Sequence, residues 1–141
     1  MKKRYLFFLL LILLVGCSNI NVNKNNLITK LDTKFNYMLE ISELELKNYY
    51  GIDTDKFIDY TFKISYNDPK NIYVIVLPKN KKEAKKEIDK FFEKQMNLSN
   101  ETNKKRIKNK YNNNFGDYLF YIVSDNNKEI YKELNNYLKA E

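Results

Sequence analysis

The sequence predicts an α+β domain, in which helices pack on an antiparallel sheet of three to four strands. Apolar residues recur at helical spacing in several segments. Other segments alternate between apolar and polar side chains, or are short and wholly apolar, as strands are. Consecutive strands joined by short turns pair as antiparallel neighbours, so the predicted order is α-α-β-β-α-(β)-β-α.

Two helices are predicted at the start of the domain. The second begins at Ser42, because Ser42 and Glu45 have the spacing of a capping box. Gly51 should end it, since glycine readily takes the left-handed conformation that terminates helices. The first helix is predicted from four apolar residues at helical spacing: Leu27, Leu31, Phe35 and Leu39.

Strands are predicted at residues 57–65, 72–77 and 118–123, with a short edge strand at 107–113. Residues 72–77 are apolar on both faces, so we expect this strand to lie in the interior of the sheet. The first strand alternates, and the side chains expected to face the core are Ile58, Tyr60, Phe62 and Ile64.

Two further helices follow strands. Residues 97–105, after the first of them, are polar and poorly patterned and are predicted to be a loop with some helix. Asn80 should cap the first and Asp125 or Asn126 the second. The stripes expected to face the sheet are Ala84, Ile88, Phe91 and Phe92 in the first helix, and Ile130, Leu134 and Leu138 in the second.

The N-terminal segment has the pattern of an export signal. Residues 2–4 are basic, residues 5–15 are apolar, and Gly16 precedes Cys17. The apolar run is shorter than the ~20 residues that span a bilayer. Residues 1–16 are therefore predicted to be a lipoprotein signal peptide, because the cysteine after the small residue resembles a lipobox.

The mature chain is predicted to start at Cys17 with a polar tether over residues 17–26, followed by a single α+β domain over residues 27–141. Removal of the basic signal lowers the formal net charge from +7 to +4. Cys17 is the single cysteine, so a lipid on its thiol leaves none for a disulfide or a metal. The expected location is the outer face of a cell membrane.

Composition limits the chemistry that this chain can perform. The sequence contains no histidine, which removes the commonest general base and metal ligand. Asp53 and Asp55 are spaced as at the start of a calcium loop, but Phe57 and Ile58 stand where that loop needs an oxygen ligand and a glycine. No cofactor and no metal are expected. An enzyme would have to depend on carboxylates, grouped as Glu40, Glu43, Glu45 and as Asp53, Asp55, Asp59.

Two basic runs and a set of tyrosines are candidate contact sites. The run Lys79, Lys81, Lys82, Lys85 and Lys86 is interleaved with acids and favours a solvated helix face. Export argues against nucleic acid as a partner. Tyr60, Tyr73, Tyr118 and Tyr121 lie on predicted strands, where they either line an open sheet face or fill the edge of the core. The run without nearby acids is the stronger candidate for an anionic lipid or wall polymer: Lys104, Lys105, Arg106, Lys108 and Lys110.

Two short motifs resemble a known family. Tyr50-Gly51-Ile52-Asp53 precedes the first predicted strand, and Phe115-Gly116-Asp117-Tyr118 leads into the last. Together with the lipobox, they make residues 30–138 resemble small bacterial lipoproteins with domain of unknown function 4358. The resemblance implies export, membrane anchoring and an α+β fold, and it implies no activity.

The leading hypothesis is a lipid-anchored, non-catalytic binding or interaction module on the outer face of a bacterial membrane. Its expected partners are the membrane through the lipid on Cys17, an anionic lipid or wall polymer, or an envelope protein. Two alternatives stay open: an envelope enzyme that uses carboxylates alone, and a protective protein that binds a toxin or a hydrolase.

Overall fold

The computed structural model describes residues 22–67 and 69–140. The predicted signal peptide and Cys17 lie outside these residues. The helices are α1 (Lys24–Lys34), α2 (Glu43–Asn48), α3 (Lys81–Asn97), α4 (Glu101–Lys108) and α5 (Asn127–Ala140). The strands are β1 (Met38–Glu40), β2 (Phe57–Ser65), β3 (Ile72–Pro78), β4 (Tyr111–Phe115) and β5 (Tyr118–Val123). Within the described part of the chain, no helix is long and apolar enough to cross a bilayer.

The described strands form one antiparallel sheet in the order β1-β2-β3-β5-β4. The α+β prediction is therefore confirmed, with five strands instead of three or four in the described residues. β3 is the central strand and pairs with β2 and β5.

Helices cover both faces of the sheet. Val74 on β3 packs in a cluster with α2, α3 and α4, whereas the next residue, Ile75, packs in a second cluster with α1 and α5. Both side chains are fully buried, as expected for adjacent residues of an interior strand. The molecule thus has two cores separated by one sheet.

Several local predictions are confirmed. Ser42 and Glu45 form the reciprocal capping box at the start of α2. The Asn80 side chain accepts hydrogen bonds from the amides of Lys82 and Glu83 and so caps α3. Gly51 has φ +68°, the left-handed conformation expected after α2. The stripes predicted for α3 and α5 are buried.

The prediction of a first helix that continues to Leu39 is wrong. Helix α1 ends at Lys34, and Leu39 lies on β1 with 57% of its surface exposed. The chain turns at Tyr37, which has φ +60°. At its other end α1 begins at Lys24, so residues 24–26 of the predicted tether are helical.

Two strand predictions also need correction. Ile58 is 64% exposed, because a register irregularity between Phe57 and Asp59 changes the alternation. The edge strand lies at Tyr111–Phe115, not at 107–113. The stretch predicted as a loop contains the end of α3 and the start of α4, and Ile107 packs from α4 onto the sheet.

The pairing registers define two ends of the sheet. At the first, β2 and β5 begin and β3 ends, since Phe57 pairs with Pro78 and Val76 with Leu119. Helix α1 starts here, because Lys24 contacts Asp59. We call this the tether end, because the chain enters the domain there. The opposite end, where β1 begins beside the end of β2, is the distal end.

Candidate interaction surfaces at the two ends of the sheet

The predicted basic contact site lies at the distal end. Helix α4 is fixed there, because Asn103 Oδ1 accepts a hydrogen bond of 3.0 Å from the amide of Lys70 in the β2–β3 turn. β3 spans seven residues, and at ~3.3 Å per residue its two ends lie about 20 Å apart. The run is therefore remote from the point at which the tether enters.

The structure does not bring the five cations of that run together as one free patch. Lys104 pairs with Glu101 at 2.8 Å. Lys110 Nζ lies 5.3 Å from the centroid of the Phe92 ring. Lys105 and Lys108 are exposed and make no ion pair with the described residues.

Arg106 has a structural role. Its side chain is 13% exposed, and Nη1 lies 3.1 Å from Asp125 Oδ1. Nη2 donates a hydrogen bond of 3.0 Å to Asn71 Oδ1. Arg106 thus ties α4 to the β2–β3 turn and to the loop between β5 and α5, and its planar fork suits such a junction. These bonds count against Arg106 as a surface contact residue, and that role stays a prediction.

The other basic run lies at the tether end. β3 ends at Pro78, and the amide of Lys79 donates to the carbonyl of Lys56, which precedes β2. Lysine side chains of this run are exposed and make no ion pair with the described residues. They occupy the segment before α3 and its first two turns: Lys79, Lys81, Lys82, Lys85 and Lys86.

Two polar clusters hold α1 on the sheet. In the distal half of β2, Lys63 Nζ lies 2.6 Å from Asp32 Oδ2. Tyr73 donates to the other oxygen of Asp32 at 2.7 Å. Burial, together with this bond to a carboxylate, raises the pKa of the Tyr73 hydroxyl far above its usual range.

The second cluster stands at the tether end and has the charges exchanged. Here α1 supplies the cation, Lys24, which contacts Asp59 and donates to the carbonyl of Tyr60 at 3.3 Å. Tyr118 donates to Asp59 Oδ2 at 3.1 Å. Burial and the bond to Asp59 raise the pKa of Tyr118. The start of α1 is thereby joined to β2 and β5.

The predicted carboxylate groups serve the backbone and the ion pairs. Glu45 closes the capping box, while Glu43 pairs with Lys47 at 2.7 Å. Asp53 caps the 3₁₀ turn Thr54–Lys56 by accepting from the amide of Asp55. Asp59 belongs to the cluster with Lys24. Among residues 22–67 and 69–140, no group of three acidic or cysteine side chains could hold a metal ion.

A shallow groove at the distal end contains the remaining acids of interest. It has a volume of about 360 Å³ and is lined partly by Asp125, Glu129 and Glu133. The side chains of Asp125 and Glu133 are 78% and 62% exposed, and they pair with Arg106 and Lys34. These carboxylates are open to water and engaged in ion pairs, unlike the buried general acid that a carboxylate enzyme needs. The groove therefore does not favour the enzyme hypothesis.

An exposed aromatic corner at the distal end was missed by the sequence reasoning. Tyr37 and Tyr66 are 74% and 80% exposed, and the amide of Tyr66 donates to the carbonyl of Tyr37 at 3.0 Å. Leu39 adjoins them on β1, opposite Ile64. Tyr37 adopts a positive φ, which costs a non-glycine residue roughly 1 kcal/mol or more. We call Tyr37, Leu39 and Tyr66 the distal corner.

The tyrosines predicted on strands do not line an open face. Tyr73 and Tyr121 are buried in opposite cores, and Tyr60 and Tyr118 are partly buried beside them. The hydroxyls of Tyr73 and Tyr118 donate hydrogen bonds at the margins of the cores, as in the second of the two interpretations.

Comparison of the chain with protein families, curated proteins and solved structures finds no match. The resemblance to domain of unknown function 4358 therefore stays a prediction. So does lipidation at Cys17, which lies outside the described residues.

Proposed function

We propose that this chain is a lipid-anchored, non-catalytic interaction module on the outer face of a bacterial membrane. The support for anchoring is the sequence Leu14-Val15-Gly16-Cys17 after a basic and apolar segment. Helix α1 begins only seven positions after Cys17, so the domain is held close to the lipid.

The observation that carries the binding role is the distal corner. Tyr37, Leu39 and Tyr66 are large, exposed and adjacent, in a domain whose other strand tyrosines are packed. Tyrosine is enriched in protein interfaces, because it supplies a large contact area with few rotatable bonds. The positive φ of Tyr37 costs stability, and residues with such strained backbone conformations are common at binding sites.

The proposed partner is an envelope protein. A toxin or a hydrolase is included in this class, so the protective role is one form of the same proposal. A carboxylate enzyme is disfavoured because the acids lining the groove are paired or exposed.

Anchoring is tested with Cys17→Ser in the producing cell. The variant should accumulate as an unprocessed precursor and leave the detergent phase on partitioning. A processed variant chain that still partitions with detergent would overturn the anchoring proposal.

Binding is tested by placing a photo-crosslinking side chain at position 66 of the anchored protein. Irradiation of cells should give an adduct of one defined mass. The matched control is position 58, because Ile58 is also exposed and lies near the start of β2, whereas Tyr66 directly follows the end of that strand. The adduct should also disappear in the Tyr37→Ser background. Equal adducts at both positions, or none at position 66, would contradict this binding surface.

A further inference from the structure

We propose that the tether end is a docking surface for an anionic phospholipid membrane, formed by Lys79, Lys81, Lys82, Lys85 and Lys86. This inference rests on the proposed lipid anchor and adds the orientation of the domain. The sheet would stand on its tether end, with its strands directed away from the membrane and the distal corner outermost.

The chain enters the folded domain close to the proposed lipid anchor. Six residues separate Cys17 from Lys24, and a chain spans at most about 3.5 Å per residue. Seven steps along the chain lead from Cys17 to Lys24, so the start of α1 lies within about 25 Å of the lipidated residue. The contacts of Lys24 with Asp59 and Tyr60 fix that start to the tether end of the sheet.

The tether end of the sheet carries more exposed lysines than exposed carboxylates. The ion pairs Lys24–Asp59 and Lys56–Glu83 are internally neutral. The remaining lysines number five, at 79, 81, 82, 85 and 86, against three exposed or half-exposed carboxylates in segments 53–55 and 116–117. A lysine can extend its ammonium beyond the surface on a flexible stem, whereas aspartate is short.

Electrostatic attraction between lysines and a membrane acts over a short distance. Screening shortens to ~8 Å at physiological ionic strength, whereas the two ends of the sheet are about 20 Å apart along β3. When the tether end contacts the membrane that holds Cys17, its lysines lie within this range of the headgroups. The distal run of α4 does not, and it is further reduced by the pairs of Lys104 and Arg106.

Anionic phospholipid is favoured over wall polymer as the partner. The lysines and the entry point of the tether share one end of the sheet, so the anchor itself presents them to the headgroups. Attraction to anionic lipid is about 1 kcal/mol per basic residue near the surface, so removing four lysines should weaken binding by roughly 100-fold or more.

The test uses the mature chain, Cys17–Glu141, with vesicles of phosphatidylglycerol or of phosphatidylcholine. The tether-end variant is K81Q/K82Q/K85Q/K86Q. The matched control is K70Q/K105Q/K108Q/K128Q, which removes the same charge from the distal end. Wild type and the control should sediment with phosphatidylglycerol vesicles, in a manner reversed by salt, and the tether-end variant should not.

A second measurement reads orientation in the wild-type chain. Cys17 is the single cysteine, so its thiol can be coupled to a maleimide lipid within the vesicle. Acetylation of amines should then be suppressed at Lys81, Lys82 and Lys85 on phosphatidylglycerol but not on phosphatidylcholine. Lys105 and Lys108 should react equally on both.

Three results would overturn the docking surface: equal loss of binding in the two quadruple variants, protection of the distal lysines, or binding to purified anionic wall polymer without binding to phosphatidylglycerol. None depends on lipidation in the cell, because the anchor is chemical. A failure of Cys17→Ser to release the protein from membranes would instead contradict the proposed anchoring.

Discussion

The two ends of the sheet differ in what they offer to a partner. The tether end carries exposed lysines beside the entry of the chain, and its large apolar residues are mostly packed. The distal end carries the exposed corner of Tyr37, Leu39 and Tyr66. Of its basic run, Lys104 and Arg106 are held in ion pairs, whereas Lys105 and Lys108 are exposed and unpaired with the described residues. The difference suggests that the charged tether end binds the membrane and that the aromatic distal end binds a protein.

Both ends depend on the same central strand. Val74 and Ile75 are fully buried in opposite cores, so Val74→Asp or Ile75→Asp places an unpaired charge where it is very costly. Total stability is about 5–15 kcal/mol, and we expect neither variant to fold. Circular dichroism should show no cooperative unfolding, whereas Ile75→Val should lose only about 1 kcal/mol. A folded Ile75→Asp variant would show that the face covered by α1 and α5 opens.

The two polar clusters under α1 allow a finer comparison. Asp32→Asn leaves Lys63, 11% exposed on the interior strand β2, without its carboxylate, and should cost about 2–3 kcal/mol. Asp59→Asn should cost about 1 kcal/mol or less, because Lys24 lies in the first turn of α1 and can turn to water. Urea unfolding of the two variants measures the difference. Equal losses would mean that the tether end is held as firmly as the middle of the sheet.

The two polar clusters could not be predicted from the sequence, whereas several helix caps could. Ser42 with Glu45 and Asn80 with its helix were predicted, because capping depends on residues a few positions apart. Lys24 and Asp59 are 35 positions apart, and no local pattern joins them. Leu39 was misplaced because its helical spacing continues across a turn that Tyr37 makes without a glycine or a proline.

The candidate site shows the same limit. The sequence ranked the two basic runs by their neighbouring acids and preferred the run at 104–110. We propose the run at 79–86 instead, because the antiparallel path of β2 and β3 returns the chain to the tether end before α3. Proximity to the anchor is a property of topology, which neither run carries in its own residues.

Alkaline pH should separate the clusters with the smallest perturbation. The raised pKa values of Tyr73 and Tyr118 mean that the folded chain keeps protons that the unfolded chain loses above pH ~10. Stability is therefore complete below that pH and falls above it. Urea unfolding across this range should show a shallower fall for Tyr73→Phe than for Tyr118→Phe, since Tyr73 is the more deeply buried. An unchanged slope in Tyr73→Phe would contradict the burial of this tyrosine in its protonated form.

The orientation of the domain relative to the membrane can be measured along one strand. Ile58 and Tyr66 are both exposed and lie eight positions apart at opposite ends of β2, about 26 Å at the rise of a strand. A genetically encoded fluorescent side chain is placed at either position of the lipidated protein, in phosphatidylglycerol vesicles that contain a lipid with a nitroxide headgroup. If the tether end contacts the membrane, we expect strong quenching at position 58 and weak quenching at position 66. Equal quenching, or stronger quenching at position 66, would show that the domain does not stand on its tether end.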